Sequence, residues 1–216
     1  MDDQILEEVS RFIDWEGNVQ WFQVPLSEET AISLKLAPSW VTALTGDSTI
    51  KERVEQLWQN IAEELPRTYT VLTEKTTGLA LLSTQDSGVS LIYFFETEEG
   101  LEYCRGYCPT SDLPAVAEKF PIDLALLYRI HNGFVDFASY DGGPLPVNKW
   151  QSAIDPLTNE ASLIKIATDG SDAFGFDLSD EQCAAYFVCP NEEEVEEIDE
   201  PWEFLDEMIA GPLEDL

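Results

Sequence analysis

The chain has 216 residues, 44% of them hydrophobic, which is long enough to bury a core without disulfides or metal ions. Its 43 acidic and 11 basic residues give a net charge of −32, which excludes direct binding to the phosphates of DNA or RNA. No stretch approaches the ~20 apolar residues of a membrane span. The acidic start Met1-Asp2-Asp3-Gln4 is unlike a signal peptide, so we expect a cytoplasmic protein with no membrane partner.

Helical and extended patterns alternate along the first part of the chain. Apolar residues at helical spacing predict a helix over residues 3–15, and Ser27 followed by two glutamates indicates the start of a second helix. The longest helix is predicted over 48–65, with Ser48 as its cap. Between these helices, residues 19–24 predict a strand and residues 37–47 an irregular segment.

The middle of the chain is rich in β-branched and aromatic residues. Four short runs with this composition predict strands over 68–73, 79–83, 89–96 and 101–107. Glycine-containing turns separate the last three runs. Because consecutive strands joined by short turns pair with each other, we predict an antiparallel meander.

A short helix with both ends marked opens the second part of the chain, over residues 121–132. Pro121 suits its first turn, and Asn132-Gly133 supplies a left-handed residue at its end. Three strands are then predicted as antiparallel neighbours, over 163–168, 173–178 and 184–189. The charge run 191–200 is predicted as a solvated loop, and a last helix is predicted from Pro201 to the stop at Gly211-Pro212.

Motifs in this second part follow one another in a definite order. They are a proline-led helix with Tyr128 that ends in Asn132-Gly133, a strand with Ile164 and Ile166, the turn Asp169-Gly170 with Asp172, the strand Phe174-Gly-Phe-Asp-Leu178, the strand Tyr186-Phe-Val188, and Trp202-Glu-Phe-Leu205. Their order and spacing resemble the SUKH superfamily, a group of bacterial immunity proteins that also includes a eukaryotic cell-wall-synthesis regulator. The resemblance covers Leu113 to Pro212.

The resemblance implies a fold and a role. The implied fold is α+β, with a mixed, mostly antiparallel sheet and helices packed on it. The resemblance also divides the chain into two regions. Residues 113–216 are a SUKH-like module, and residues 1–112 are an α+β region that is either separate or continuous with the module. The implied role is not catalytic, because such proteins bind and neutralise polymorphic toxins, many of them nucleases.

The residues themselves offer little chemistry for catalysis or metal binding. His131 is the only histidine and lies beside a helix-ending Asn-Gly pair, where a packing role is favoured over that of a general base. The cysteine pairs Cys104/Cys108 and Cys183/Cys189 do not match the usual zinc spacings, and buried free thiols are the better interpretation. We therefore predict no enzyme activity, no cofactor and no metal. Paired carboxylates of a hydrolase stay open, since 43 acids allow many pairs.

The charge is distributed unevenly. Lys165 is the last basic residue, and 17 acidic residues follow it with no lysine, arginine or histidine. Such a surface attracts a basic protein and speeds the encounter. The competing interpretation is a solvated acidic face that only keeps the protein soluble. The sequence leaves both open.

The leading hypothesis is an immunity-type protein whose acidic, aromatic-lined face covers the active site of a basic toxin such as a nuclease. The alternative is a regulatory or scaffold protein that holds endogenous protein partners, and a hydrolase comes third. Turns that border the predicted strands are where binding residues usually lie. The predicted partner-binding residues are Tyr140, Asp141, Trp150, Asp169, Asp172 and Glu181.

Overall fold

The computed structural model describes residues 9–10, 13, 16–98, 100–137, 142–153, 162–179 and 181–216. These residues hold six α-helices and eleven strands in two sheets, and all pairings between the strands are antiparallel. The predicted α+β fold is confirmed. The helix predicted over 3–15 lies mostly outside the described residues. No described helix combines the length and the apolar composition that a bilayer span needs.

Helices cluster in the first third of the chain, with two more after it. They are α1 Glu28–Ser33, α2 Pro38–Leu44, α3 Ile50–Trp58, α4 Pro66–Lys75, α5 Ala125–Tyr128 and α6 Pro201–Glu214. The cap of α3 is Thr49, whose side chain forms a capping box with Glu52, and not Ser48 as predicted. α3 is shorter than predicted, because a 3₁₀ turn at Gln59–Ile61 follows it.

Two helices occupy segments where the predictions were wrong. α2 fills the segment predicted as irregular, since its proline stands in the first helical turn, where a missing N–H costs nothing. α4 fills residues 68–73, predicted as a strand. Two backbone N–H groups in its first turn donate hydrogen bonds to the carboxylate of Asp206 on α6, and this distant cap outweighs the β-branched composition.

The first sheet has the strand order β1-β2-β3-β4-β5. Its strands are β1 Gln20–Gln23, β2 Thr76–Thr84, β3 Gly88–Thr97, β4 Gly100–Tyr107 and β5 Phe134–Asp136. The predicted meander is confirmed by β2, β3 and β4. β5 comes from the chain beyond residue 112, so both regions of the predicted division contribute strands to this sheet.

The second sheet has the order β11-β10-β9-β8-β6, and β7 also pairs with β8. Its strands are β6 Gly143–Pro144, β7 Gln151–Ala153, β8 Leu163–Asp169, β9 Asp172–Asp177, β10 Ala185–Cys189 and β11 Glu194–Ile198. The three predicted neighbouring strands are confirmed as β8, β9 and β10. The loop predicted over 191–200 is wrong, because Val195 and Ile198 pair with apolar residues of β10 and make this segment an edge strand.

The helices of the second region also differ from the predictions at their ends. α5 is one turn long, because Asp123 accepts a hydrogen bond from the N–H of Ala125 (3.0 Å) and holds the preceding residues in a turn. Gly133 has φ +94°, as predicted, and a Cβ there would lie 2.5 Å from the backbone nitrogen of Pro146. α6 continues past Gly211, because Pro212 removes only one hydrogen bond near the last turn.

One large core lies between the helices and both sheets. It includes Trp40 and Trp58 from the helices, Tyr93 from the first sheet and Phe174 from the second, all fully buried. A smaller cluster on the opposite face of the first sheet includes Phe94 and Phe137. The first sheet is therefore covered on both faces.

A charged pair lies buried on that opposite face. The guanidinium of Arg105 donates two hydrogen bonds to the carboxylate of Glu16 (2.5 and 3.0 Å), and both side chains are 0% exposed. Thr84 donates a further hydrogen bond to Glu16 (2.7 Å). Burial raises the pKa of Glu16, but the hydrogen bonds from Arg105 and Thr84 and the charge of Arg105 outweigh this effect and lower the pKa to about 2.

A neutral polar chain lies in the main core. Trp58 Nε1 donates to the hydroxyl of Tyr93 (3.0 Å), which contacts His131 Nε2 (2.8 Å). Because the tyrosine hydroxyl has one proton, we infer that it donates to Nε2 and that the ring proton is on Nδ1. Nδ1 faces the carbonyl of Tyr107 without a well-formed hydrogen bond, and burial lowers the pKa of His131 to about 3.

Candidate functional site

One end of the second sheet carries a cluster of carboxylates. Asp169 and Asp172 pair across the β8–β9 turn, and Glu192, Glu193 and Glu194 follow in the adjacent β10–β11 connection. We call these five residues the acidic end. The side chains of Asn191 and Ser171 hydrogen-bond across the two turns (2.7 Å), which holds the two halves of the acidic end together.

The carboxylates of the acidic end have no counterion in the described part of the chain. The salt bridges described there join Arg67 to Glu207 and Glu214, and Arg105 to Glu16. The pKa of the neighbouring Cys189 thiol is raised. Burial is the largest cause, and the negative charges of Asp172, Glu192 and Glu194 add to it. The acidic end is therefore a site of uncompensated negative charge.

The structure separates the other predicted partner-binding residues from Asp169 and Asp172. Glu181 is exposed in the loop after β9, at the opposite end of that strand. Trp150 is half-buried, donates a hydrogen bond from Nε1 to the hydroxyl of Tyr128 (2.9 Å) and packs edge-on against its ring. Tyr140 and Asp141 lie outside the described residues.

A cavity of about 330 Å³ opens where the two sheets meet the C-terminal part of α6. Its floor is apolar and consists of Cys104, Phe134, Ile209 and Leu213, each less than a tenth exposed. Its rim carries the carboxylates of Glu102, Asp136 and Asp169, and among the described residues no lysine, arginine or histidine lines it. We call this feature the junction cavity. Asp169 belongs to both the junction cavity and the acidic end.

The sequence contained no local signal for the junction cavity. Its three carboxylates stand on β4, β5 and the end of β8, more than thirty residues apart along the chain. By contrast, Glu192–Glu194 was visible as part of a charge run, but its place beside Asp169 and Asp172 depends on the pairing of β9 with β10.

The protein was compared with known proteins by sequence and by structure. No protein-family model, no curated protein and no solved structure matches the chain. The resemblance to the SUKH superfamily therefore stays a prediction that rests on the order of its motifs.

The histidine and two of the cysteines, Cys104 and Cys183, are buried, and the other two cysteines are half-buried. His131 is fully buried among Trp40, Trp58 and Phe134. None of the four cysteines forms a disulfide, and burial raises the pKa of the Cys104 and Cys108 thiols. Within the described ranges, no group of three histidine, cysteine or acidic side chains is placed to hold a metal ion. The acidic end and the junction cavity thus offer charge and apolar contact surface.

Proposed function

We propose that this protein is a non-catalytic, immunity-type binding protein that neutralises a basic protein toxin by covering its active site. The observation that carries the proposal is the acidic end, whose five carboxylates form no salt bridge within the described residues. The motif order shared with the SUKH superfamily supports the same role.

The free carboxylates favour a partner with a basic surface. Opposite charges raise the rate at which two proteins meet, and nucleases and other enzymes that bind nucleic acid carry basic surfaces around their active sites. Because Asp169, Asp172 and their neighbours break no internal ion pair on binding, they contribute their full charge to the encounter. The acidic end would compete with the phosphates of the toxin's substrate.

Three other acidic residues form ion pairs or hydrogen bonds that stabilise the fold. Glu207 and Glu214 on α6 pair with Arg67 of α4, and Asp206 binds the first turn of α4. These acids hold two helices together. The total charge of −32 is therefore not distributed over equivalent carboxylates, and the proposal concerns those of the acidic end, which form no salt bridge with another described residue.

The test has two steps. The purified protein is used at low salt to capture partners from its native cells, and the captured protein is then expressed in a host with and without this chain. We expect a basic protein that stops growth when expressed alone and not when co-expressed. The changes Asp169→Asn and Asp172→Asn together should weaken the protection.

The matched control is the pair Glu63→Gln and Glu118→Gln, which removes two exposed carboxylates away from the acidic end. We expect this control to protect as well as the native chain. A captured partner that is harmless when expressed alone would contradict the immunity role and favour the regulatory or scaffold alternative.

A further inference from the structure

The junction cavity has three carboxylates on its rim, more than four other clefts of the described residues have in their linings. A larger cleft, lined by Ser39, Gln56, Thr110 and Arg129 among others, has no carboxylate in its lining. The acidic rim of the junction cavity is therefore not a simple consequence of the charge of the whole chain. It is a local arrangement made by β4, β5 and the β8–β9 turn.

The floor of the junction cavity is formed by the core and is in place before any ligand binds. Phe134 is 2% exposed and packs edge-on against the rings of Trp58 and Tyr93. Ile209 and Leu213 face the cavity from α6 and are 4% and 5% exposed. A ligand entering here meets a fixed apolar surface, so little ordering of the protein opposes binding.

The rim sets the charge of a suitable ligand. Glu102 and Asp169 are exposed, and they approach the cavity from different sheets. A metal ion is a poor match, because hard cations need several oxygen ligands around them and this floor is built of hydrocarbon and a thiol. A cation carried on an apolar stem matches both the rim and the floor.

We propose that the junction cavity binds an arginine side chain of the partner protein. The stem packs on Ile209 and Leu213, and the guanidinium bonds to the carboxylates of Glu102 and Asp169. Arginine fits better than lysine because its planar group is weakly hydrated and can bond to two carboxylates at once. Buried arginines are also frequent among the residues that dominate protein interfaces. The identity of the partner rests on the proposed function, but the cavity's preference for arginine does not.

The cavity can be tested without the partner. The probe is the peptide acetyl-Gly-Arg-Gly-amide, titrated into the full-length protein and followed by amide chemical shifts. The control probe replaces arginine by citrulline, which has nearly the same shape and no charge. We expect saturable shifts at Cys104, Phe134 and Leu213 with the arginine peptide and at least about fivefold weaker binding of the citrulline peptide.

Two variants separate a specific site from general attraction to an acidic protein. Glu102→Gln with Asp169→Asn should weaken the arginine peptide at least about fivefold, whereas Glu63→Gln with Glu118→Gln, an equal change in charge, should alter it by less than about twofold. All four positions are exposed, so both double variants should keep the native melting temperature. Equal weakening by both variants, or equal binding of both peptides, overturns the proposal.

The result is distinguishable from the outcome of the proposed function. Arginine-peptide binding in the junction cavity with a harmless natural partner would leave the cavity assignment in place and contradict the immunity role. Protection against a toxin that is unchanged in a Glu102→Gln variant, with no binding of the arginine peptide to the native chain, would support the immunity role and overturn the arginine site.

Discussion

The two sheets differ in whether their charged side chains have partners within the protein. On the first sheet, the buried guanidinium of Arg105 is paired with Glu16. Behind that sheet, Arg53 donates hydrogen bonds to the carbonyls of Ala43, Thr45 and Gly46 at the end of α2. On the second sheet, the carboxylates of the acidic end are without a counterion in the described part of the chain.

The difference separates charges that stabilise the fold from charges that are free to bind. A buried charge must be paired, since an unpaired one would cost more than the fold can supply. An exposed carboxylate at the end of a strand has no such requirement and contributes little to stability. Substitutions of the buried, paired charges should therefore change the free energy of unfolding, and substitutions in the acidic end should change association.

The largest effect is expected from breaking the buried pair. Arg105→Met leaves the carboxylate of Glu16 buried without its counterion, and we expect the free energy of unfolding to fall by about 3–5 kcal/mol. Urea unfolding of the native chain and of the variant measures this decrease in the free energy of unfolding. The double variant Arg105→Met with Glu16→Gln removes both charges and should recover more than about 1 kcal/mol of this loss. A single variant as stable as the native chain would mean that the pair is not buried in solution.

The second effect is a dependence of stability on pH that comes from His131. Its pKa is about 3 in the folded protein and 6.5 in the unfolded chain, so below pH 6.5 the unfolded state binds the additional proton. The free energy of unfolding should therefore decrease on acidification below pH 6.5, approaching about 1.4 kcal/mol per pH unit. This contribution is fully present above pH 6.5.

The measurement is a series of urea curves between pH 7 and pH 5, where most carboxylates still stay ionised, in salt that screens the surface charges. The variant His131→Phe should show a flatter profile over the same range, because His131 is the only histidine. An unchanged slope in that variant would assign the pH dependence to carboxylates instead.

A smaller effect is expected from the contact between α4 and α6. Asp206 accepts hydrogen bonds from the N–H groups of Arg67 and Thr68 (2.9 and 2.7 Å), as a helix cap supplied from another helix. Asp206→Ala should cost about 1–2 kcal/mol of unfolding free energy. Glu207→Ala, which removes an exposed partner of Arg67 on the same helix, should cost less than about 1 kcal/mol. Equal losses of unfolding free energy in the two variants would show that the cap by Asp206 stabilises the protein no more than a surface ion pair does.

The smallest change in stability is expected on the edge strand β11. Replacing Glu194, Glu196 and Glu197 by glutamine removes three exposed charges without removing a salt bridge described in the structure. We expect each replacement to change the free energy of unfolding by less than about 0.5 kcal/mol. A loss above about 2 kcal/mol for the triple variant would contradict the division between stabilising and free charges.

Elements with a local signal could be predicted from the sequence, and those stabilised by distant residues could not. The strands of the meander are apolar runs rich in aromatic and branched residues, separated by glycine turns, and they were predicted correctly. α4 was mistaken for a strand because its cap, Asp206, stands more than 130 residues away. β11 was mistaken for a loop because three of its five residues are glutamates, and its two apolar residues, Val195 and Ile198, are three positions apart and do not follow the period of two that marks a strand.

The same distinction applies to the candidate site. Asp169 and Asp172 were predicted together because one short turn joins them. The junction cavity could not be predicted, since Glu102 and Asp169 meet only when two sheets pack against α6. Trp150 was predicted at the binding surface from its position next to a long turn, but the hydrogen bond to Tyr128 is a packing contact that no sequence pattern records.

The central claim is that the free carboxylates of the acidic end attract a basic protein. The most direct test measures the association rate with the captured partner at increasing salt, for the native chain and for the Asp169→Asn, Asp172→Asn variant. We predict that the native rate falls steeply as salt rises, and that the variant associates more slowly with a weaker dependence on salt. A native association rate that does not change with salt would contradict the claim.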